Sequence, residues 1–278
     1  MSLVIFASVL AAAFLHALWN GLVRVGASRV HVMMILSGVQ GLIGLVVASA
    51  YSFPEARVWP WLLASGVIHS AYKTFLTYAY EHGDLSRVYP LARGTAPLIV
   101  LGASATLLGE TPTLPEVIGL CLLGLGILLL AGGVFSNGES RRLLPYAFGA
   151  AAATAGYSMV DGMGARVAGE AGGFVGWLFV IDGLIFAAVM LSLRGTASIP
   201  RDRKVWLIGS LGAAASYASY AIVVWAMTKA PIALVAGLRE TSIVFGVLIG
   251  WFVFREQMTR SKLVSIGLIV AGVVVTRL

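Results

Sequence analysis

The sequence predicts an all-α membrane protein with ten transmembrane helices in two inverted five-helix repeats. Hydrophobic residues make up 59% of the 278 positions, and charged residues make up only 11%. Soluble domains carry about 25% charged residues, so this chain has too little polar surface for a water-exposed fold of its size. An internal repeat at a constant spacing of 146 residues predicts the two-part architecture.

Ten apolar runs are long enough to cross about 30 Å of hydrocarbon, which takes roughly 20 helical residues. They lie near residues 3–23, 32–50, 59–80, 88–108, 115–134, 145–165, 173–193, 205–228, 231–253 and 262–277. The runs show no alternation typical of a β-barrel, so their backbone groups must be satisfied within helices. The first run lacks a basic region and a small-residue cleavage pattern, and we expect it to be a retained span.

The internal repeat pairs residues that lie 146 positions apart, without a gap. The pairs are Arg93 with Arg239, Thr95 with Thr241, Glu110 with Glu256, Thr113 with Thr259, Gly66 with Gly212, Ser70 with Ser216, and Gly126 with Gly272. This register predicts a duplication of five spans, with one repeat over residues 1–140 and the other over residues 141–278. Because five is odd, the second copy crosses the membrane in the opposite sense. The first helices of the two halves match less well.

Charges near the ends of the spans carry two further predictions. Twelve basic residues lie in the odd-numbered connections and four on the opposite side, so the positive-inside rule places both termini outside. Glu110 and Glu256 close matching spans, where each carboxylate is expected to meet the N-terminal amides of the next helix.

Several ionisable residues fall inside the predicted spans, where a charge costs roughly 2.5 to 3.5 kcal/mol on insertion scales. They are His16, His69, Lys73, Arg93, Asp161, Asp182, Arg239 and Glu240. Such residues face a cavity or a partner. For Arg93 and Arg239 two interpretations remain open. One is a guanidinium pair that faces a cavity and binds carboxylate or phosphate. The other is a structural role, in which they pair with Glu240 or with carbonyls exposed by Pro90 and Pro97.

Two helices carry polar stripes that are candidates for substrate binding. On the first helix, His16, Trp19 and Asn20 share one face, although a packing role for His16 is the alternative. The stripe on the third helix consists of His69, Tyr72, Lys73, Thr77 and Tyr80. Lys73 is either a ligand for a substrate carboxylate or a counter-ion to Asp161.

The residues predicted to couple transport to protons are Asp161, Glu240 and His69. Asp161 is the best candidate of the three, unless it forms a permanent salt bridge. Tyr217 and Tyr220 place hydroxyl-bearing aromatic rings in the second repeat, where they either bind substrate or serve as packing.

Other classes of site have no support in the sequence. The chain contains no GxxxxGK[ST], HExxH, CxxC or GxSxG motif, and Cys121 is its single cysteine, so we expect no cofactor, no metal and no standard hydrolytic site. Basic residues are scattered in short loops and form no stripe with aromatics, which speaks against nucleic acid.

The motifs "YPLARGTAP" and "LLGE", echoed by "GLRETS" and "VFRE", resemble the EamA-type branch of the drug/metabolite transporter superfamily, as does "HALWN" near the N-terminus. The resemblance implies a basket of helices around a central cavity, alternating access of two halves, and exchange or proton-linked transport without ATP. It also implies cytoplasmic termini, against the loop charges. Phosphate-carrying relatives use basic side chains in the ninth span, which Arg239 matches, although Glu240 follows it directly.

We therefore predict a secondary active transporter of a small anionic or zwitterionic metabolite, such as an amino acid or an organic phosphate or phosphonate. The alternatives are a carrier of cationic or choline-like compounds, a drug exporter and, from another class, a polytopic membrane enzyme that uses His16, His69 and Asp161. The expected location is the bacterial cytoplasmic (inner) membrane. The expected partners are the substrate, protons and the lipid bilayer, with the protein a monomer or a homodimer.

Overall fold

The computed structural model describes residues 1–25, 29–82, 93, 95–131 and 142–278, and all of its regular elements in this part of the chain are helical. The helices of the first half are α1 (Leu3–Val25), α2 (Arg29–Ala48), α3 (Trp59–His82), α4 (Ala96–Leu107) and α5 (Leu114–Ala131). Those of the second half are α6 (Leu143–Ala168), α7 (Ala171–Arg194), α8 (Arg203–Met227), α9 (Ile232–Arg239), α10 (Ser242–Phe252) and α11 (Arg260–Val275).

Length and apolarity identify five helical stretches that can cross a membrane. They are Leu3–Leu22, Val30–Ala48, Ala171–Ser198, Arg203–Met227 and Ile232–Phe252. Helices α3 and α6 are long enough, with 24 and 26 residues, but they carry the polar side chains of the candidate site. Helices α4, α5 and α11 are shorter. An all-helical, multi-pass fold therefore stands, and the count of ten spans stays a prediction.

The ninth predicted span differs from expectation because it is two helices, α9 and α10, with Glu240 and Thr241 between them. The turn there tightens: the amide of Glu240 donates to the carbonyl of Gly237 and that of Thr241 to Leu238, at 3.0 and 3.1 Å. The Thr241 hydroxyl also donates to the Leu238 carbonyl, at 2.7 Å. These i to i−3 bonds replace the regular helical pattern and place the Glu240 side chain at the break.

The break coincides with a feature of the other half. Helix α10 begins at Ser242, three residues after Arg239, and helix α4 begins at Ala96, three residues after Arg93. The two helix starts are related by the same offset of 146 residues as the arginines themselves. The duplicated arginines therefore stand at equivalent positions, each before a short helix.

The two halves pack against each other through reciprocal helix pairs. Helix α1 packs on α8 and helix α3 on α6, while α2 pairs with α7 and α5 with α11. When each helix is exchanged for its counterpart in the other half, the same set of pairs results. This reciprocity is the signature of a two-fold relation between the halves.

Glycine contacts between α5 and α11 show the two-fold relation at atomic detail. A Cβ on Gly119 would lie 2.6 Å from the carbonyl oxygen of Gly272, and a Cβ on Gly126 would lie 2.9 Å from that of Ser265. The offset of 146 residues converts the first contact into the second. Only residues without a side chain allow backbones this close.

Helices α2 and α7 follow a different offset. A Cβ on Gly44 would lie 2.5 Å from the oxygen of Gly176, and a Cβ on Gly183 would lie 2.9 Å from that of Ser37. These two contacts are related by an offset of 139 residues. The second half is thus longer by seven residues beyond this point, which explains why the first helices match poorly at 146.

Candidate functional site

A small polar cavity lies between the two halves of the helical bundle. Its polar lining consists of His16, Gln40, His69, Lys73, Ser216 and Arg239. Its aromatic lining consists of Trp19, Tyr72, Tyr157, Phe179 and Tyr220. The cavity encloses about 50 Å³, room for one or two water molecules at about 30 Å³ each. A larger groove of about 170 Å³ beside α2 is lined without any charged residue and opens outward beside the exposed side chain of Leu42.

The charged side chains that line this cavity are cations. Lys73 and Arg239 reach it, whereas the carboxylates of Asp161, Asp182 and Glu240 lie behind the lining. All three carboxylates are at most 1% exposed. Each therefore meets the cavity only through the basic or hydroxyl groups in front of it.

Two arginines share one carboxylate at the break between α9 and α10. Arg93 Nε lies 3.0 Å from Glu240 Oε2, and Arg239 Nη2 donates to Glu240 Oε1 at 3.3 Å. The three side chains are 1–2% exposed. Tyr157 joins them, because its hydroxyl accepts from Arg93 Nη1 at 3.4 Å and its ring lies 5.6 Å from Arg239 Cζ. With Glu240 ionised, the cluster keeps one positive charge.

The geometry agrees in part with both interpretations of Arg93 and Arg239, as a structural pair and as a pair that faces a cavity. Glu240 pairs with the two guanidinium groups, as the structural alternative predicts. Arg239 also lines the cavity, while Arg93 lies behind it. The functional roles of the two residues remain predictions.

His16 stands between two hydrogen-bond donors. Trp19 Nε1 donates to its Nδ1 at 3.2 Å, and Arg93 Nη2 lies 3.0 Å from its Nε2. Indole and guanidinium groups only donate, and a neutral imidazole has one acceptor nitrogen, so the two contacts cannot both be good hydrogen bonds. Asn20 points elsewhere: its amide donates to the backbone oxygen of His16 at 2.8 Å, outside the cavity lining.

Lys73 pairs with Asp182 rather than with Asp161, contrary to one of the two expectations. Its Nζ forms an ion pair with Asp182 Oδ2 and donates to Ser37 Oγ at 2.8 Å. Ser70, one turn before Lys73, donates to Asp182 Oδ1 at 3.2 Å. The reason is packing, since α7 lies against the face of α3 that carries these two residues. Lys73 is thus neutralised by Asp182.

Asp161 forms a hydrogen-bonded group with His69 and Tyr220. The Tyr220 hydroxyl donates to Asp161 Oδ2, and His69 Nε2 lies 2.9 Å from the same oxygen. Within the described part of the chain, Asp161 Oδ1 has no hydrogen-bond partner. Tyr157 stacks on His69 with ring centroids 4.1 Å apart, so this ring touches both the acidic group and the arginine cluster.

The remaining predicted tyrosines divide into three cases. Tyr72 lines the cavity and meets the edge of Tyr157 at 5.6 Å. Tyr217 does not line it, and its ring packs on Phe179 at 5.2 Å. The side chain of Tyr80 lies outside the described residues.

Sequence reasoning gave no role to several residues that build the site. Gln40 donates to Ser216 Oγ at 3.0 Å and accepts from Lys73 at 3.4 Å, so it connects α2, α3 and α8. A buried amide inside the apolar run of α2 was the available signal for it. Ser216 was matched to Ser70 by the repeat, yet nothing in that match indicated a partner.

A second polar cluster closes one end of the bundle. Both oxygens of Glu110 accept from the amide of Ile232 at 3.1 Å. Arg166 lies 3.2 Å from Glu110 and donates to the carbonyls of Met227 and Ala230 at 3.0 Å. Glu110 therefore meets the N-terminus of α9, in the other half, and not the next helix as expected.

Glu256, the repeat counterpart of Glu110, contacts Lys262 at 3.0 Å within its own half. In the described part of the chain, the two matched carboxylates therefore have different ion-pair partners: Glu110 contacts the other half and Glu256 contacts Lys262 in its own half.

The fold and its buried polar centre define a multi-pass integral membrane protein made of two interlocked copies of one helical unit. The model of the EamA-like transporter family matches residues 2–132 and, a second time, residues 142–278. The chain belongs to the EamA-like transporter family, and the resemblance indicated by its motifs is confirmed. The two matches show two copies of the family repeat. The boundary predicted at residues 140 and 141 lies outside the described residues.

Comparison with solved structures shows that the fold has precedent. One crystal structure aligns with a TM-score of 0.76 at 20% sequence identity, and the alignment covers 98% of each chain. At this identity the likeness concerns the fold alone. No protein of curated function matches the chain.

Proposed function

We propose that this protein is a secondary active transporter that moves a small anionic or zwitterionic metabolite by alternating access of its two halves. The observation that carries the proposal is the charge arrangement of the cavity. Arg239 and Lys73 line it with basic groups, and the carboxylates that pair with them, Glu240 and Asp182, lie behind this lining. Such a lining favours an acidic ligand group, because guanidinium and ammonium donors match carboxylate and phosphate oxygens.

A cationic substrate is the second candidate, since the cavity also has aromatic walls that suit quaternary ammonium groups. Two cationic side chains of the protein already lie over these aromatic rings. Lys73 Nζ lies 6.0 Å from the Phe179 ring centre and Arg239 Cζ lies 5.6 Å from that of Tyr157. A second cation would meet their charges at close range. The aromatic rings fit better as a surface for the apolar part of an anion or a zwitterion.

The size of the cavity supports alternating access. The cavity of about 50 Å³ is small for an amino acid or a phosphate ester, and movement of the halves would give such a ligand more room. Two units related by a two-fold axis give equivalent open states on the two sides of a membrane. The contact of Glu110 and Arg166 with the start of α9 holds one end closed.

Proton coupling is the proposed role of Asp161. Its carboxylate is fully buried, but His69 and Tyr220 line the cavity and connect it with that space. A proton that reaches the cavity can thus pass to Asp161 through groups already in hydrogen-bond contact. The enzyme alternative has less support, because His16 and His69 have different partners and form no common acid–base site. We place the transporter in the bacterial cytoplasmic membrane, as a monomer or a homodimer.

The test is ligand-induced thermal stabilisation of the purified protein, measured with anionic, zwitterionic and cationic metabolites. A ligand at about 100 times its dissociation constant stabilises by about 2.7 kcal/mol. We expect an anion or a zwitterion to stabilise the wild type and to lose this effect in Arg239→Gln. Arg57→Gln, at a side chain that is 66% exposed, is the matched control. Stabilisation by cations alone, or one unchanged in Arg239→Gln, would refute the proposal.

A further inference from the structure

Glu240 occupies a place in the arginine cluster that an acidic ligand would otherwise take. We propose that Glu240 is a protonatable internal anion that adjusts the arginine pair to the charge of the substrate. When Glu240 is ionised the cluster accepts one negative charge, and when it is protonated the cluster accepts two. This inference rests on the proposed anion site and specifies how that site selects charge.

The contacts of Glu240 support the idea of an internal anion. Its two oxygens are divided between the guanidinium groups, at 3.0 Å for Arg93 and 3.3 Å for Arg239. Both arginines are at most 2% exposed. A buried guanidinium needs an anion beside it, and within the described residues Glu240 is the carboxylate that contacts either of them.

The cluster also has unused capacity for an acceptor. Arg239 lines the cavity, and its Nε has no hydrogen-bond partner in the described part of the chain. His16, which lines the same cavity, is flanked by Trp19 and Arg93, two groups that only donate. A ligand oxygen that reaches Arg239 Nε would accept from a donor that otherwise has no partner. If the same ligand reaches His16, it would also give one of the donors that crowd this imidazole an acceptor.

The position of Glu240 in the chain allows it to exchange partners. It directly follows Arg239, the last residue of α9, and Thr241 separates it from α10. Both residues keep right-handed helical backbone angles, and the tight i to i−3 hydrogen bonds at this turn differ from the regular helical pattern. A change in backbone angles at the break moves the carboxylate without unwinding either helix.

Charge balance gives the proposal its quantitative form. Two guanidinium groups and one carboxylate carry one net positive charge, so a monoanion completes the balance and a dianion leaves one negative charge in excess. Like charges that share a site favour uptake of a proton by one of them. A dianion is therefore expected to bind together with one proton on Glu240, and a monoanion to bind without one.

Other groups near Glu240 that carry or gain charge must be separated from it in a test. On the side of the arginines they are Arg93, Arg239, His16 on α1 and Tyr157 on α6. Next to Tyr157 lie His69 on α3 and Tyr220 on α8, which both contact Asp161. His16, His69 and Asp161 are the competitors, because a proton taken up by any of them would also strengthen anion binding as the pH falls. The variants His16→Gln, His69→Gln and Asp161→Asn isolate their contributions.

The experiment measures thermal stabilisation by sulfate and by methanesulfonate between pH 5 and pH 8. The two anions are similar in shape and keep their charges of two and one throughout. Sulfate stabilises many proteins through exclusion from their surfaces, so the response of Arg239→Gln is subtracted. We expect the half-effective sulfate concentration to fall by up to about ten-fold for each unit decrease in pH, the slope of one linked proton. Methanesulfonate should show no such slope.

The variants decide which residue takes the proton. In Glu240→Gln we expect sulfate to act at about ten-fold lower concentration near neutral pH, because a competing charged contact worth at least about 1.5 kcal/mol is gone. The pH dependence of the sulfate effect should also disappear in this variant. In His16→Gln the slope should persist. Equal slopes for both anions, no slope for sulfate, or a slope retained in Glu240→Gln would overturn the proposal.

The test also works if a variant fails to fold. Without Glu240→Gln, the contrast between sulfate and methanesulfonate in the wild type decides the question together with three variants, since the slope should persist in His16→Gln, His69→Gln and Asp161→Asn. If sulfate binding depends on pH as expected but the protein transports no metabolite anion, the role of Glu240 is supported and the proposed function is refuted. If the protein transports an anion but sulfate binding does not depend on pH, the proposed function is supported and the role of Glu240 is refuted.

Discussion

At the residue scale, Asp161 is the group on which proton coupling is proposed to depend. An amide cannot take up or release a proton, but Asn keeps the size of Asp and can still accept from Tyr220. We expect Asp161→Asn to reduce uptake driven by a pH gradient by about ten-fold or more, consistent with a coupling free energy of about 1–3 kcal/mol. Exchange of substrate across the membrane without a gradient should continue. Both rates are measured in liposomes that contain the purified protein.

Glu55→Gln is the matched control for this change, because it also neutralises a carboxylate but at a side chain that is 69% exposed. Its gradient-driven uptake should equal that of the wild type. If Asp161→Asn retains a normal response to the gradient, the coupling proton binds elsewhere. Loss of both uptake and exchange would indicate a structural role for Asp161.

Residue types and spacing predicted much of the polar centre but not its pairing. Arg93, Arg239 and Glu240 stood out because charges inside apolar runs are rare, and they do meet in the structure. For Lys73 the sequence suggested either a substrate carboxylate or Asp161 as the partner, and the structure pairs it with Asp182. Asp182 takes that place because of how α7 packs on α3, which one sequence does not reveal.

At the element scale, the crossing of α5 and α11 depends on glycines that bring backbones together. A Cβ on Gly119 or Gly272 would lie 2.6 or 2.5 Å from a carbonyl oxygen of the facing helix. Because the obstacle is backbone, neither helix can yield locally. We expect Gly119→Ala and Gly272→Ala each to destabilise by about 1–3 kcal/mol, the usual cost of overpacking, in unfolding measurements on the purified protein.

Gly267 provides the control within the same helix α11, because a Cβ there would meet no atom within 4 Å. Gly267→Ala should be neutral or stabilise by about 0.5–1 kcal/mol through helix propensity. Equal destabilisation at Gly267 and Gly272 would mean that glycine acts through the chain's flexibility and not through close packing.

The elements themselves show where sequence patterns are sufficient and where they are not. Apolar runs located the helices well, since length and hydropathy decide which segments enter lipid. The break at Glu240 was not predicted, because the residues there include neither proline nor glycine. At this turn Glu240 contacts its neighbour Arg239 and also Arg93, which lies far away in the sequence, and the second contact is not visible in the local residue pattern.

At the scale of the whole molecule, the duplication is accurate in the later helices and shifted in the earlier ones. The offset of 146 residues relates the two ends of the α5–α11 contact, and an offset of 139 relates those of the α2–α7 contact. An ungapped comparison finds only the first. The sequence repeat was visible only in the later helices, after the seven-residue insertion. In the structure, the α2–α7 and α5–α11 contacts both show the two-fold relation.

The closed end of the bundle follows from a departure from this symmetry. Glu110 accepts from Ile232 and contacts Arg166, so it ties the end of the fourth predicted span to the second half. Glu256, its counterpart, contacts Lys262 in its own half. If the halves move apart as proposed, this polar contact between them has to break.

Opening at this end can be observed with a thiol probe. Ala233 lies in the first turn of α9, directly beneath the contact, and is 3% exposed. A cysteine placed there, with Cys121 replaced by serine, should react slowly with a water-soluble maleimide. We expect Glu110→Gln to speed this reaction by about ten-fold, because it weakens hydrogen bonds to a charged group worth about 1.5–3 kcal/mol. Glu256→Gln, at a carboxylate paired with Lys262 in its own half, should leave the rate unchanged. Equal acceleration by both variants would show that the bundle loosens as a whole, and no acceleration by Glu110→Gln would show that apolar packing alone keeps this end closed.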